Sequence, residues 1–436
     1  MLHDPGSYSP PLVIDEIALE QDEKDLLRSL GEEISRISAD PANAERAELW
    51  ARLNDLQAAR PMVWINEIPW HEMDVEGELE LGTRNPWARE FETGLRRTIY
   101  QWKHLRGDMV VNPWIECPLA IHSTDFGIVE DVDIVRTDAK NEIVSRHFHT
   151  QIHGPEDLEK IRMPKVIHVE RTTQVVYETL QYLYRDILPV RKTGQTHIWF
   201  TPWDYLIRWW GIEEAMLDMI DRPELVHAAY ERMVDAWMVE LDQFVEQNLL
   251  SLDCGNIRVG SGGYGYTKAL PGAAFDPGRV NPENMWGCSN AQILASVSPE
   301  MHWEFAVEHD LRWMRRWGLN YYGCCEPLDR KVELLERIPN LRKVSVSPWN
   351  NLERIFRGIG DRWAASFKPN PAIFLDEEWS PAAAREAIAS GLSKAEAEGC
   401  RNVEIIMKDI STVHHHPERL WAWADIAMEE AFSREV

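Results

Sequence analysis

Two thiols and a carboxylate stand side by side in the run Asn320-Tyr321-Tyr322-Gly323-Cys324-Cys325-Glu326-Pro327-Leu328. Its start reads as a short strand and Asp329 as the approach to a helix, so Cys324, Cys325 and Glu326 fall at a strand's carboxyl end. An α/β barrel builds reactive sites at such ends, and soft thiolates beside a hard carboxylate suit a metal such as zinc. The plainer reading makes both cysteines small core residues, as free cysteines commonly are. Lys408-Asp409 ends the β-rich run Val403–Met407, and Lys368 ends 363–367. Either lysine could orient an anionic or ether oxygen, or simply pair with a carboxylate.

Other residues fall near earlier strand ends. Trp64, Asn66, Glu67 and His122 are expected to line a pocket, and Tyr264 and Tyr266 to cover it from the stretch Gly260-Ser261-Gly262-Gly263-Tyr264-Gly265. That stretch lacks dinucleotide spacing and the P-loop Lys-Ser/Thr pair, which leaves a mobile active-site loop or a hairpin. His147 and His149 share one face of a short β-run and read more readily as a surface hairpin than as a metal pair. His414-His415-His416 point in different directions, so one or two of them at most could serve one ion.

Positioning these groups requires regular elements. Helical spacing of Leu26, Leu27, Leu30, Ile34 and Ile37, then Leu49, Leu53 and Leu56, predicts two amphipathic helices over residues 1–60, packed outside the main body. From Pro61 the texture changes to short β-runs (62–65, 109–111, 197–200, 251–255, 320–325, 343–347, 363–367, 403–407) alternating with helical stretches, which predicts parallel strands with crossover helices over 61–436. Periodicity alone does not separate a barrel from a doubly wound sheet.

Composition narrows the partners. With 72 acidic and 46 basic residues, the net charge of −26 opposes nucleic acid and anionic membrane. No apolar stretch reaches the roughly 18 residues of a span, and the N-terminus lacks a signal-peptide pattern, so a cytoplasmic location is expected. Six cysteines spread over 436 residues do not form a disulfide framework. Twenty tryptophans exceed what a core ordinarily takes, leaving a few for an aromatic pocket.

Several segments, in order across 61–436, resemble the uroporphyrinogen decarboxylase superfamily, which includes the decarboxylase and the zinc-dependent methyltransferases that work with corrinoid proteins. They are Thr201-Pro202-Trp203-Asp204-Tyr205, Leu217-Asp218-Met219-Ile220-Asp221-Arg222-Pro223-Glu224-Leu225, Ser298-Pro299-Glu300, Cys324-Cys325, Lys368-Pro369-Asn370-Pro371 and Pro417-Glu418-Arg419-Leu420. The resemblance implies an α/β, TIM-type (β/α)8 barrel after an N-terminal helical extension, often as a homodimer. Where the decarboxylase carries an arginine to grip its polycarboxylate substrate, this chain has Glu67, which would repel it.

The methyltransferase branch holds zinc on a His-x-Cys pair ending the sixth strand and a Cys after the eighth. Here the matching positions are Tyr322-x-Cys324 or Gly323-x-Cys325, and Asp409. The metal ligands implied are Cys324 or Cys325, Glu326, Asp409 and one of the histidines, His414 among them. The expected function is methyl transfer between a small substrate, such as a methoxylated aromatic, and cobalamin carried by a separate corrinoid protein. The alternative is a metal-free lyase or decarboxylase on the same barrel, with Lys368, Asp409 or Tyr322 moving protons. A third class, a binding protein, would use the tryptophans as a cage.

Overall fold

The structure, a computed structural model, describes residues 12–135 and 145–435. Its strands are β1 (Met62–Ile65), β2 (Ile115–Pro118), β3 (Ile121–Ser123), β4 (Val132–Val135), β5 (Ser145–Phe148), β6 (Val166–His168), β7 (Val190–Thr193), β8 (Trp286–Ser289), β9 (Leu319–Tyr322), β10 (Leu341–Val346), β11 (Ala364–Phe367) and β12 (Val403–Met407). Six form one parallel sheet in the order β1-β12-β11-β10-β9-β8, with Trp64 opposite Ile406 and Tyr321 opposite Lys343. A doubly wound sheet reverses its strand order at a switch point. This one advances in a single direction and returns its first strand to the side of its last, the winding of a TIM-like fold.

A closed eight-stranded barrel is not what the regular sheet forms. Segments 109–111, 197–200 and 251–255 are irregular, and β8 takes a place in the sheet that sequence pattern did not mark. Local chemistry accounts for this. Asn112-Pro113 interrupts the first segment, since proline cannot donate to a ladder. In the third, the Asp253 carboxylate accepts the Trp286 amide at 3.0 Å, a side chain standing where a neighbouring strand would offer a carbonyl. β8 itself is hidden by Gly287, which lets the Trp317 ring approach but breaks the expected alternation.

Alternation divides the sheet into two faces. Val63, Ile65, Tyr322, Val344, Val346, Ala365, Phe367, Ile405 and Met407 enter the large core shared with the helices. Glu404, Lys343, Ser345 and Tyr321 point the other way and are all fully buried. There Lys343 Nζ meets Glu404 Oε2 at 2.7 Å, and the second Glu404 oxygen accepts the Gly263 amide at 3.0 Å. The glycine-rich stretch is therefore a tight hairpin threaded inside the sheet's curve, closed by Val259 N to Gly263 O (3.0 Å) and Gly265 N to Ile257 O (2.9 Å), and not an outer cover. Its glycines are demanded by contact: a Cβ on Gly262 would collide with the Glu404 carboxylate, and one on Gly260 with the Tyr321 ring.

Residues Gln21–Ser38 and Ala42–Asn54 form the two N-terminal helices. The second reaches the hairpin: Trp50 is fully buried against Tyr264, and Asn54 Nδ2 donates to the carbonyls of Tyr264 (2.8 Å) and Tyr266 (2.7 Å). His147 and His149 belong to the antiparallel pair β4–β5, where His149 meets Asp133 at the surface. Among the described residues no helix is long and apolar enough to cross a membrane.

Removing one member of a buried ion pair leaves the other charge unpaired, at about 3–5 kcal/mol. Lys343→Met is expected to lower the urea unfolding midpoint by that order, and Lys343→Met with Glu404→Leu to recover much of the loss. Equal midpoints for Lys343→Met and the parent would show that the pair does not hold the hairpin.

Candidate active site

Because the six strands are parallel, residues just past their carboxyl ends share one edge. Glu67 follows β1, Lys408 and Asp409 follow β12, Lys368 follows β11, and Cys324 and Cys325 follow β9. In a flat sheet β12 and β9, three spacings apart, would lie about 14 Å from each other. Instead Lys408 Nζ stands 3.7 Å from Cys324 Sγ and 4.0 Å from Cys325 Sγ. The sheet curves enough to bring opposite ends together around one ammonium.

The turn after β9 aims both thiols the same way. Gly323 adopts φ 95°, which ends the alternation of the strand, so adjacent cysteines no longer face opposite sides. Their sulphurs lie 3.6 Å apart. Glu326 fixes this turn from within: it is fully buried, one oxygen accepts the Cys324 amide (2.8 Å) and the other the Ala291 amide (3.1 Å). Ser345 Oγ donates to the Cys324 carbonyl at 2.6 Å. The sequence offered Glu326 as a metal ligand; the structure gives it to two backbone amides.

Charge then concentrates on Lys408. Its Nζ is 2.9 Å from Asp409 Oδ2 and 3.7 Å from Glu67 Oε2, and Asp409 Oδ2 is 3.6 Å from Cys325 Sγ. Arg258 binds Glu67 at 2.8 Å, and the Asp409 amide donates to Glu67 at 3.1 Å. Burial opposes ionisation of Glu67, yet Arg258 and Lys408 outweigh it and hold the carboxyl at about 2. Burial raises Asp409, and the neighbouring Glu67 adds to the effect. The two thiols are pushed apart in acidity: the hydrogen bond with Cys325 lowers Cys324 against burial, with Lys408 assisting, while the same bond and burial raise Cys325. Burial works against the Lys408 ammonium, but Cys324, Glu67 and Asp409 together raise it.

The remaining expected site residues are spread more widely. Lys368 Nζ lies close by in the interior, donating to Tyr321 OH (3.0 Å) and Ser345 Oγ (2.6 Å). Tyr322 is on the opposite face of β9, in the helix-facing core, with its hydroxyl 2.6 Å from His302 Nε2 and burial pushing its ionisation far up. Tyr321, one residue earlier, is the tyrosine of the interior. Alternation counted from Lys343 and Lys368 could have found it; nothing in the sequence marks Arg258 as the partner of Glu67.

Trp64 and Asn66 bond each other (2.9 Å), and the Trp64 ring stacks at a tilt on Tyr264, 4.6 Å between centroids. Tyr264 and Tyr266 thus belong to the inner hairpin and the N-terminal helix beneath it, where burial raises both phenols. His122 sits in β3, paired antiparallel with β6 outside the six-stranded sheet. His414 is exposed, its Nε2 3.0 Å from the Leu375 carbonyl.

Among the described residues no three His, Cys, Asp or Glu side chains make a ready metal centre. The donor types nevertheless suit zinc. The 3.6 Å between the sulphurs is close to the spacing of about 3.8 Å that two thiolates take around tetrahedral zinc with bonds near 2.3 Å. Asp409 Oδ2 lies 3.6 Å from Cys325 Sγ, and Lys408 is the cation that stands beside all three groups. Cys325 also opens to solvent through a mouth of about 830 Å³, walled by Ile207, Ile212, Ile293, Pro327 and Trp349.

No family model matches the chain, and no curated protein matches it. Among solved structures the chain is similar to a methyltransferase from Methanosarcina mazei, at 13% identity and a TM-score of 0.48, over 88% of this chain and 97% of that one. Likeness of that degree says nothing about the reaction.

A thiolate held by Lys408 has a clear signature. Cys117, Cys254 and Cys400 are all raised, the first two to about 11 and the third to about 12, through burial. Thiolate ultraviolet absorbance that develops below the ordinary thiol range is therefore expected from the Cys324–Cys325 pair, and Lys408→Met should move it to higher pH. An unchanged titration in Lys408→Met would remove the lysine from the account.

Proposed function

We propose that the protein is an enzyme that transfers a methyl group at the Cys324–Cys325–Lys408–Asp409 cluster, between a small substrate and a corrinoid carried by a separate protein, with zinc as the resident metal. The observation that carries this reading is the pair of sulphurs turned toward one another beside Lys408, at the edge where Cys325 meets the open mouth. A lone buried cysteine would be packing. Two thiols brought onto one ammonium from a turn that breaks alternation are arranged for their charge.

Zinc, when bound on Cys324, Cys325 and Asp409, would supply a Lewis acid for a leaving group or hold an acceptor thiol as its thiolate. The chain's own residues supply the rest. Lys408 balances the negative charge of the cluster, Glu67 and Arg258 fix Lys408 from behind, and Glu326 keeps the cysteine turn in shape. Support for a bulky partner comes from the rim of the mouth, where Trp349 is 68% and Ile212 53% exposed, apolar area that a docking protein would cover. The corrinoid itself rests on the family resemblance of the sequence.

A second reading, proton transfer without metal, is favoured by Lys368, buried and bonded to Tyr321 OH at 3.0 Å. In that case Tyr321 takes the role that the sequence offered to Tyr322.

Elemental analysis separates the two. About one zinc per chain is expected after zinc is supplied under reducing conditions, lost in Cys324→Ser and in Cys325→Ser. Because Lys408 competes for the same position, Lys408→Met should bind zinc more tightly than the parent. No uptake in the parent and in Lys408→Met would overturn the metal reading, and turnover that survives chelation would favour the proton-transfer one.

A further inference from the structure

A cavity of about 240 Å³ lies beside the thiol mouth, between the irregular segment 195–201, the turn after β3, and the helices Pro202–Trp210 and Pro223–Glu246. Asp204 lines both spaces. Phe126, Tyr205 and Trp237 form one corner of it: the Phe126 centroid is 5.0 Å from Tyr205 and 5.1 Å from Trp237, and Tyr205 meets Trp237 edge-on at 5.8 Å. Tyr205 stands nearly perpendicular to Phe126 (88°) and to Trp237 (85°), Phe126 is tilted 51° to Trp237, and all three rings line the cavity.

Polar groups bracket the rings. Glu240 stands three residues beyond Trp237 on the same helix, is 8% exposed, and accepts from Ser123 Oγ at 2.6 Å on one of its oxygens. Asp204 and Arg208, one turn apart on the other helix, line the same cavity, with the Arg208 guanidinium 5.6 Å from the Tyr205 ring centroid, and Asp125 adds a third carboxyl. Arg208 Nη1 is buried with no hydrogen-bond partner among the described residues. A buried guanidinium nitrogen left unpaired costs free energy, so an acceptor is missing from its side of the cavity.

The two sets of groups make opposite demands. A simple anion would pair with Arg208 but face Asp125 and two further carboxyls, Asp204 and Glu240, which burial raises and which a cation beside them would ionise. A simple cation would suit the carboxylates and the ring faces but leave Nη1 unpaired. We infer that this cavity binds a small zwitterion, with its carboxylate on Arg208 and an alkylated ammonium in the corner of Phe126, Tyr205 and Trp237 beside Glu240 and Asp204. Alkyl groups on the nitrogen follow from the rings, which attract a diffuse cation through their faces and offer a primary ammonium no acceptors there. The site stands whether or not the thiols transfer a methyl group.

Calorimetric titration of the full chain with glycine betaine tests this, against two probes of similar shape: choline, which lacks the carboxylate, and 3,3-dimethylbutanoate, which lacks the cation. Saturable betaine binding is expected, with each control weaker by about tenfold or more, the loss of one charge-assisted contact. Arg208→Gln and Glu240→Gln should each weaken betaine by a similar factor, and Cys325→Ser should leave it unchanged. Choline or dimethylbutanoate binding as tightly as betaine, absence of betaine binding to the folded parent, or indifference of betaine to both cavity variants would overturn the inference. Loss of betaine binding in Cys325→Ser would also overturn it, by moving the ligand to the thiol mouth. Circular dichroism identifies a variant that has not folded, and the other then decides.

Discussion

A lysine and a glutamate that have lost all contact with water must satisfy one another, and much of this molecule follows from that requirement. Lys343 and Glu404 meet across the interior, and Glu404 spends its second oxygen on Gly263. That bond seats a glycine hairpin where side chains would ordinarily fill the space. The hairpin in turn carries Arg258, Arg258 holds Glu67, and Glu67 stands behind Lys408 and Asp409. One line of charge thus runs from the least accessible part of the fold to the thiols.

The line also sets the chemistry at its end. An isolated thiol in apolar surroundings keeps its proton, as Cys117 and Cys400 do. Cys324 differs because it is hydrogen-bonded with a second thiol and an ammonium lies within 3.7 Å. The same ammonium stands where a divalent cation would be drawn, so the cluster is anionic enough to hold a positive charge of either kind. For the zinc proposed above, lysine as the built-in cation would make uptake a competition rather than a simple filling.

How far this could be read in the sequence depends on which physical rule governs each part. The strand ends at 367 and 407 are legible because short apolar runs stop at Lys368 and Lys408, whereas β9 stops at Tyr322, three residues before the Cys325 that the sequence suggests, and parallel winding places these stops on one edge. Direction at the end of β9 is not legible, since it turns on a left-handed glycine and on Glu326 bonding inward, neither of which has a sequence signature. The choice between Tyr321 and Tyr322 is one of register, decided by partners on β10 and β11 far along the chain. β8 was missed because close approach, not propensity, selects Gly287, and the Gly-rich stretch left an active-site loop and a hairpin both open because the tight fit that makes it a hairpin belongs to tertiary structure alone.

The left-handed turn presents two reactive sulphurs, and the residue that charges them arrives late. Lys408 is 84 positions beyond Cys324, just past β12, and Glu67, which steadies it, was placed 342 positions before Asp409. A growing polypeptide therefore carries Cys324 and Cys325 as unremarkable thiols for the time it takes to add some eighty residues. Only when β12 slides between β1 and β11 does the ammonium reach them. The cluster is in this sense assembled by completion: a chain that stops short of β12 holds both thiols and lacks the ammonium that stands beside them.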